Sequence, residues 1–205
     1  MGTRGAYGFH KGGVDKITYN HWDSYPDGLG DEIAKFIKKT TIKQMNEIFE
    51  KIILVDEHNS KPTKEQIKIY KEFADISVSC QSYEDWYCLL YKTKQDLSVY
   101  KEEGIVHMMD GGDFVKDSLF CEWAYIINLD TNVLEVCGGF LKKPKNQHPR
   151  YKQTKKEAMQ RRGDSLKDKP YYSVALLYTY PLAYIRKGRD PFFVQKLFKS
   201  MYKDD

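Results

Sequence analysis

The 205-residue chain lacks any apolar run near the roughly 18–20 residues that a membrane-crossing helix needs. Apolar runs such as Ile52–Val55 and Val174–Leu177 are the length of a buried strand or part of a helix. The opening Met1-Gly2-Thr3-Arg4-Gly5-Ala6 has no apolar stretch of the kind a signal peptide carries. Ala6 also breaks the myristoylation pattern. Cysteine is scarce, at Cys80, Cys88, Cys121 and Cys137, and no two of them are spaced by two residues. That spacing gives no expectation of zinc, or of any resident metal or cofactor. With no export signal, the four are expected as reduced thiols of the core in a soluble, cytoplasmic protein. None sits in a nucleophile motif, and removal of Met1 would expose Gly2 rather than Thr3, which disfavours an N-terminal-nucleophile hydrolase. Internal repeats and low-complexity tracts are missing too. A single globular domain over 1–205 is the expectation for this length.

What is present reads as strands and helices in separate runs. Thr3–His10 and Val14–Asp23 alternate like a hairpin around Lys11-Gly12-Gly13. Ile33, Phe36, Ile37, Thr41, Met45, Ile48, Phe49 and Ile52 predict one helix from about Asp31 to Leu54. Thr63 and Gln66 form a capping-box signature for a second helix, and Ser82 with Asp85 opens a third that 94–103 could continue. Phe120–Leu129 and Val133–Phe140 predict a second hairpin, Tyr171–Leu182 a further strand, and Asp190-Pro191 the start of a final helix. The fold class that follows is α+β: an antiparallel sheet of two hairpins plus a C-terminal strand, packed with four to five helices.

Chemistry-bearing side chains concentrate in Tyr19-Asn20-His21-Trp22-Asp23-Ser24-Tyr25. Strand alternation puts Tyr19, His21, Asp23 and Tyr25 on one side, so Asp23 could orient the His21 ring or raise its pKa. A two-residue Gly12-Gly13 loop sets Arg4 opposite His21, whereas a three-residue loop sets Thr3 there and Arg4 opposite Asn20. Two readings stay open: a ligand site, or a satisfied polar network beneath a helix. A phosphate cradle at Gly28-Leu29-Gly30 is disfavoured by Asp27 and Asp31, since Asp31 can cap the helix itself.

Met1-Gly2-Thr3-Arg4-Gly5, the His21-Trp22-Asp23-Ser24-Tyr25-Pro26 box and Cys121–Asp130 resemble a family of short microbial and bacteriophage proteins. Its members open Met-(Gly/Ser)-Thr-Arg-(Gly/Ser) and carry (His/Gln)-Trp-Asp-(Gly/Ser)-Tyr-Pro on the second strand. The resemblance reaches to about residue 140. It implies a site on the first hairpin and a phage or prophage setting, hence the host cytoplasm, but no reaction.

Other constellations point less sharply. His107, Asp110 and Asp113 could join His21 and Asp23 around a divalent ion, although nothing in the spacing sets their separation. Glu122, on an apolar strand, needs a partner if buried, and Arg4 is the candidate. Segment 142–169 carries eleven Lys/Arg against three Asp/Glu, a net +8 in a chain of net +4. It is expected as a solvated, mobile loop, with a phosphate-attracting lid as a second reading; nucleic-acid binding is disfavoured because Tyr151 is its sole aromatic. Two functions survive. One is a phage-type binding module for a small anion, a nucleotide or nucleotide-derived host signal foremost, held near Thr3, Arg4, Tyr19, His21, Trp22, Asp23 and Tyr25. The other is a metal-independent hydrolase of a nucleotide-like or acyl substrate, with His21 as general base oriented by Asp23 and Arg4 stabilising developing charge. Self-association is left open.

Overall fold

The structure, a computed structural model, describes residues 2–56, 58–160 and 170–188. Strands β1 (Gly5–Lys11) and β2 (Val14–Asn20) are joined by Gly12 and Gly13, at φ 58° and 77°. Two consecutive left-handed residues match the twist of the strands they join, which favours glycine at both. Gly5 pairs with Asn20 and Lys11 with Val14, so the two-residue loop is the one adopted. Strands β3 (Ile53–Val55) and β4 (His107–Met109) form a small parallel pair. The second hairpin is β5 (Trp123–Asn128) with β6 (Val133–Gly138), and β7 (Ala175–Pro181) runs antiparallel beside β6.

The main sheet has the order β2-β1-β5-β6-β7. Its hairpins meet through β1 and β5, which are parallel, Gly5 facing Trp123 and His10 facing Asn128. The sheet is therefore antiparallel except at this central pair, which arises because each hairpin offers its first strand to the other. Tyr7, Phe9, Trp123, Tyr125, Ile127, Leu134 and Val136 enter the larger core. On the other face the smaller Ala6, Ala124 and Cys137 join Ile126, Tyr151 and Val174 in a second core. Burial on both faces is why these strands read as continuous apolar runs rather than alternating ones.

The helix expected from Asp31 to Leu54 is two helices and a strand. Helix α1 (Asp31–Lys39) stops where Thr40 becomes extended, and α2 (Ile42–Lys51) restarts beneath a capping box. Thr41 Oγ1 accepts from Gln44 N–H at 3.2 Å, and Gln44 Oε1 accepts from Thr41 N–H at 2.9 Å. The apolar stripe continues in phase across this break, so periodicity alone hid it. Helix α3 (Lys64–Tyr70) begins at the predicted Thr63–Gln66 box. Helix α4 (Trp86–Leu89) is capped by Asp85 rather than Ser82, and a 3₁₀ turn at Leu97–Lys101 replaces its expected continuation. Two short helices, α5 (Lys155–Gln160) and α6 (Leu182–Arg186), complete the described elements. The helix expected after Asp190 lies outside the described residues. Among the described residues, no helix is long and apolar enough to cross a membrane.

The basic segment, expected as a solvated loop, is exposed at most positions from 142 to 160 but anchored to the second face of the sheet by the buried Gln147, His148, Tyr151 and Ala158; 161–169 lie outside the described residues. Tyr151 is buried, and its hydroxyl donates to Asp15 Oδ2 at 2.9 Å. The Arg150 guanidinium grips Glu135 with both terminal nitrogens, Nη1 lying 2.7 Å from Oε1. Asn128 Nδ2 donates to Glu135 Oε1 at 2.8 Å. His148 Nε2 lies 3.3 Å from Oε2, close enough to act electrostatically but not aligned as a hydrogen bond. Charge density accounts for the exposed positions; one buried carboxylate on β6 accounts for the anchored ones.

Arg150→Ala should cost about 3–5 kcal/mol, because it strands a buried carboxylate. Burial alone would raise the Glu135 pKa, but His148, Arg150 and Asn128 hold it far below the usual carboxylate range. Glu135 therefore contributes its full stabilisation above the unfolded glutamate pKa of about 4.3 and loses it as pH falls below that value. Denaturant unfolding at successive pH values should show this acid loss in the parent chain and less of it in Glu135→Gln.

Candidate functional site

The N-terminal motif divides into a structural interlock and a cleft wall. In the interlock, Thr3 and Ser24 are buried, and the Thr3 carbonyl accepts from Ser24 N–H at 3.1 Å. Asn20 Nδ2 donates to Ser24 Oγ at 2.7 Å, and the Tyr125 hydroxyl donates to the Ser24 carbonyl at 3.1 Å. Strand β2 ends at Asn20, and Asp23 takes a left-handed φ of 51°. Strand alternation therefore stops before it can bring Asp23 beside His21. The Asp23 carboxyl lies against Gly28 instead, where an added Cβ would fall 2.6 Å from its Cγ, and the Asp23 carbonyl accepts from Leu29 N–H at 2.9 Å. A single π turn, Pro26–Gly30, runs straight into α1, so Asp31 is the first helical residue and not the cap expected of it. Gly2 is the seat of the Trp22 indole: a Cβ there would sit 2.2 Å from Trp22 Cε3.

On the other side of this interlock lies a cleft of about 410 Å³ lined by His21, Trp22, Val78, Ser79, Tyr87 and Tyr91. The Tyr19 hydroxyl lies 2.6 Å from His21 Nδ1, and the Trp22 indole meets the imidazole edge-on at 4.4 Å. The Lys94 ammonium lies 3.5 Å from the Tyr87 ring centre and 4.3 Å from that of Tyr91, a cation held on two aromatic faces. Gln95 ties the two walls, its Nε2 donating to the Trp22 carbonyl at 2.6 Å. The Arg4 guanidinium covers the Phe120 ring at 4.5 Å. In place of the expected ion pair with Glu122, the main chain makes the contacts: Glu122 N–H donates to the Arg4 carbonyl at 3.0 Å and Arg4 N–H to Glu122 Oε1 at 3.4 Å.

Burial lowers the His21 pKa, and the positive charges of Lys94 and Arg4 lower it further. Burial likewise pushes the Tyr19 hydroxyl up to about 12, with Tyr87 adding to the rise and Arg4 opposing it. The ring is thus kept neutral near neutral pH inside a positive field, the opposite of the raised pKa that a neighbouring carboxylate would produce.

Of the seven residues expected at a site, His21 and Trp22 line this cleft; Tyr19 sits behind it on the His21 ring, and Arg4 acts on that ring only as a nearby charge. Thr3 and Asp23 belong to the interlock. Tyr25 is exposed and outside the lining; its carbonyl accepts from Gly28 and Gly30 in the π turn. Sequence reasoning missed Tyr87, Tyr91 and Lys94, although their spacing is that of one helical face. His107 does not approach His21: it stacks on Trp86 at 5.0 Å, with its nitrogens 3.0 Å from Gln66 and from the Tyr70 hydroxyl. Asp110 and Asp113 line a different cleft, of about 700 Å³, together with Asp15, Asp56, Lys116 and Arg150, so its wall carries both signs of charge. Comparison with protein-family models, curated proteins and solved structures found no match for the chain.

An NMR titration should place the His21 pKa below the ordinary 6.5 or so, and Lys94→Ala should move it upward. Because protonation is harder in the fold than in the unfolded chain, His21 should also cost stability as pH falls through that ordinary value. An unchanged pKa in the variant would show that Lys94 does not bear on the ring.

Proposed function

We propose that the chain binds a small anionic aromatic molecule, a nucleotide or nucleotide-derived signal, in the cleft between the β2 end and α4. The observation that carries this reading is the cleft's composition: imidazole, indole and two phenols, with Lys94 and Arg4 in electrostatic reach and no acidic side chain in the lining. Aromatic faces stack on a planar base, and base–aromatic stacking contributes about 1–3 kcal/mol per base. Cations partly removed from water attract phosphate more strongly than solvated ones. The phage-type setting suggested by the N-terminal motif fits a module that sequesters a host nucleotide in the cytoplasm, an activity that requires no turnover.

The hydrolytic alternative asked Asp23 to orient His21 as a general base. Asp23 is turned into the interlock, and the hydroxyl of Tyr19 takes its place beside the ring. Binding needs neither this dyad nor a nucleophile, and so accounts for the cleft with fewer parts.

A nucleotide panel should raise the unfolding free energy by about 2.7 kcal/mol at a hundred times the dissociation constant. Arg4→Ala, His21→Ala and Tyr87→Ala should lose that gain while staying folded, and the gain should weaken with salt. Asp23→Ala should instead lower stability and keep the ligand response. Nucleotide turnover by the parent protein would favour the hydrolase, and a chain that answers no nucleotide would remove this reading.

A further inference from the structure

The cysteine spacing of this chain matches no short zinc pattern, yet the fold brings two thiols and a carboxylate together. One ligand atom each from Cys80, Asp85 and Cys88 lies within 4.8 Å of the other two. Ser79 and Gln81, at φ 51° and 56°, bend the loop back on both sides of Cys80. Asp85 is held by its capping bond, Oδ1 accepting from Cys88 N–H at 2.8 Å. Cys88 is buried on α4, with Sγ 3.2 Å from the Val78 carbonyl.

We propose that Cys80, Asp85 and Cys88 hold a thiophilic divalent cation of the zinc class, clipping the loop at 78–81 to helix α4. Two thiolates and a carboxylate are three of the four ligands that zinc takes, with solvent available for the fourth beside the exposed Cys80. A disulfide is the competing use of the two sulfurs, and Asp85 would then serve only as the cap of helix α4. Zinc-class cations take cysteine as the thiolate, so binding displaces thiol protons and affinity rises with pH. Three of the six residues lining the aromatic cleft, Val78, Ser79 and Tyr87, lie on the two pieces that the cation would join. The metal site nevertheless stands independently of any nucleotide.

The test is titration of reduced, chelator-treated protein with cobalt(II) alone, followed by competition with zinc. The expected result is a thiolate-to-cobalt charge-transfer band saturating at one equivalent and abolished by zinc. Cys80→Ser, at an exposed position, should lose the band while remaining folded, and Cys88→Ser should lose it as well. Asp85→Asn retains a capping oxygen, so helix α4 should persist. Losing a direct ligand should weaken cobalt binding by at least the roughly 10–100-fold seen when outer-shell partners are removed. No thiolate band in the reduced parent protein, or a band that survives Cys80→Ser, overturns the proposal. So does a reduced protein that binds no cobalt but forms a Cys80–Cys88 disulfide in air.

Discussion

The buried carboxylate of Glu135 constrains much of this fold. It stands on β6, next to the sheet's middle, where a charge removed from water demands a partner. Arg150 supplies one in bidentate form, and Asn128 occupies a further lone pair. To place that guanidinium, the chain must bring residues 142–160 across a sheet face otherwise lined by Ala6, Ala124 and Cys137. The small side chains leave room for the covering segment, and Tyr151 fills it. Asp15 and His10 extend the same polar system toward the first hairpin through the Tyr151 hydroxyl and a 2.7 Å His10–Asp15 contact. Both hairpins and the basic segment are thus held by one connected set of charges.

Local signals in the sequence were dependable where the physics is local. The Thr63–Gln66 box, the Gly12-Gly13 turn and the pairing within each hairpin all rest on contacts between near neighbours. The break at Thr40-Thr41 was legible in principle, because Thr41 and Gln44 carry the same capping signature as Thr63 and Gln66. It was masked by an apolar stripe that stays in phase. The β3–β4 pair and the parallel β1–β5 contact were not legible, since each joins segments separated by 50 residues or more and only tertiary packing selects it. Net charge at 142–160 could not reveal that one arginine has a buried partner, since composition carries no pairing information.

The geometry around the first hairpin was half legible. The dense run of polar and aromatic residues at 19–25 places His21 and Trp22 on the wall of a cleft, with the Tyr19 hydroxyl bonded to the His21 ring. Extending strand geometry past Asn20 created a false His21–Asp23 pairing, undone by a single left-handed residue. The opposite wall, at Tyr87, Tyr91 and Lys94, lies more than sixty positions away, and no pattern in the chain connects the two. What unites them is the Gln95 amide on the Trp22 carbonyl and the Gln95 main chain bonded to the Tyr7 hydroxyl.

That split between walls has an evolutionary consequence. Wall one is cast by the interlock, where Gly2, Asn20, Ser24 and Gly28 leave little room for substitution. Wall two hangs on short turns between residues 78 and 94 that carry few strand pairings. Changes in the second wall would alter what the cleft accepts without loosening the first. The architecture therefore separates the part that must be inherited intact from the part that is free to diversify.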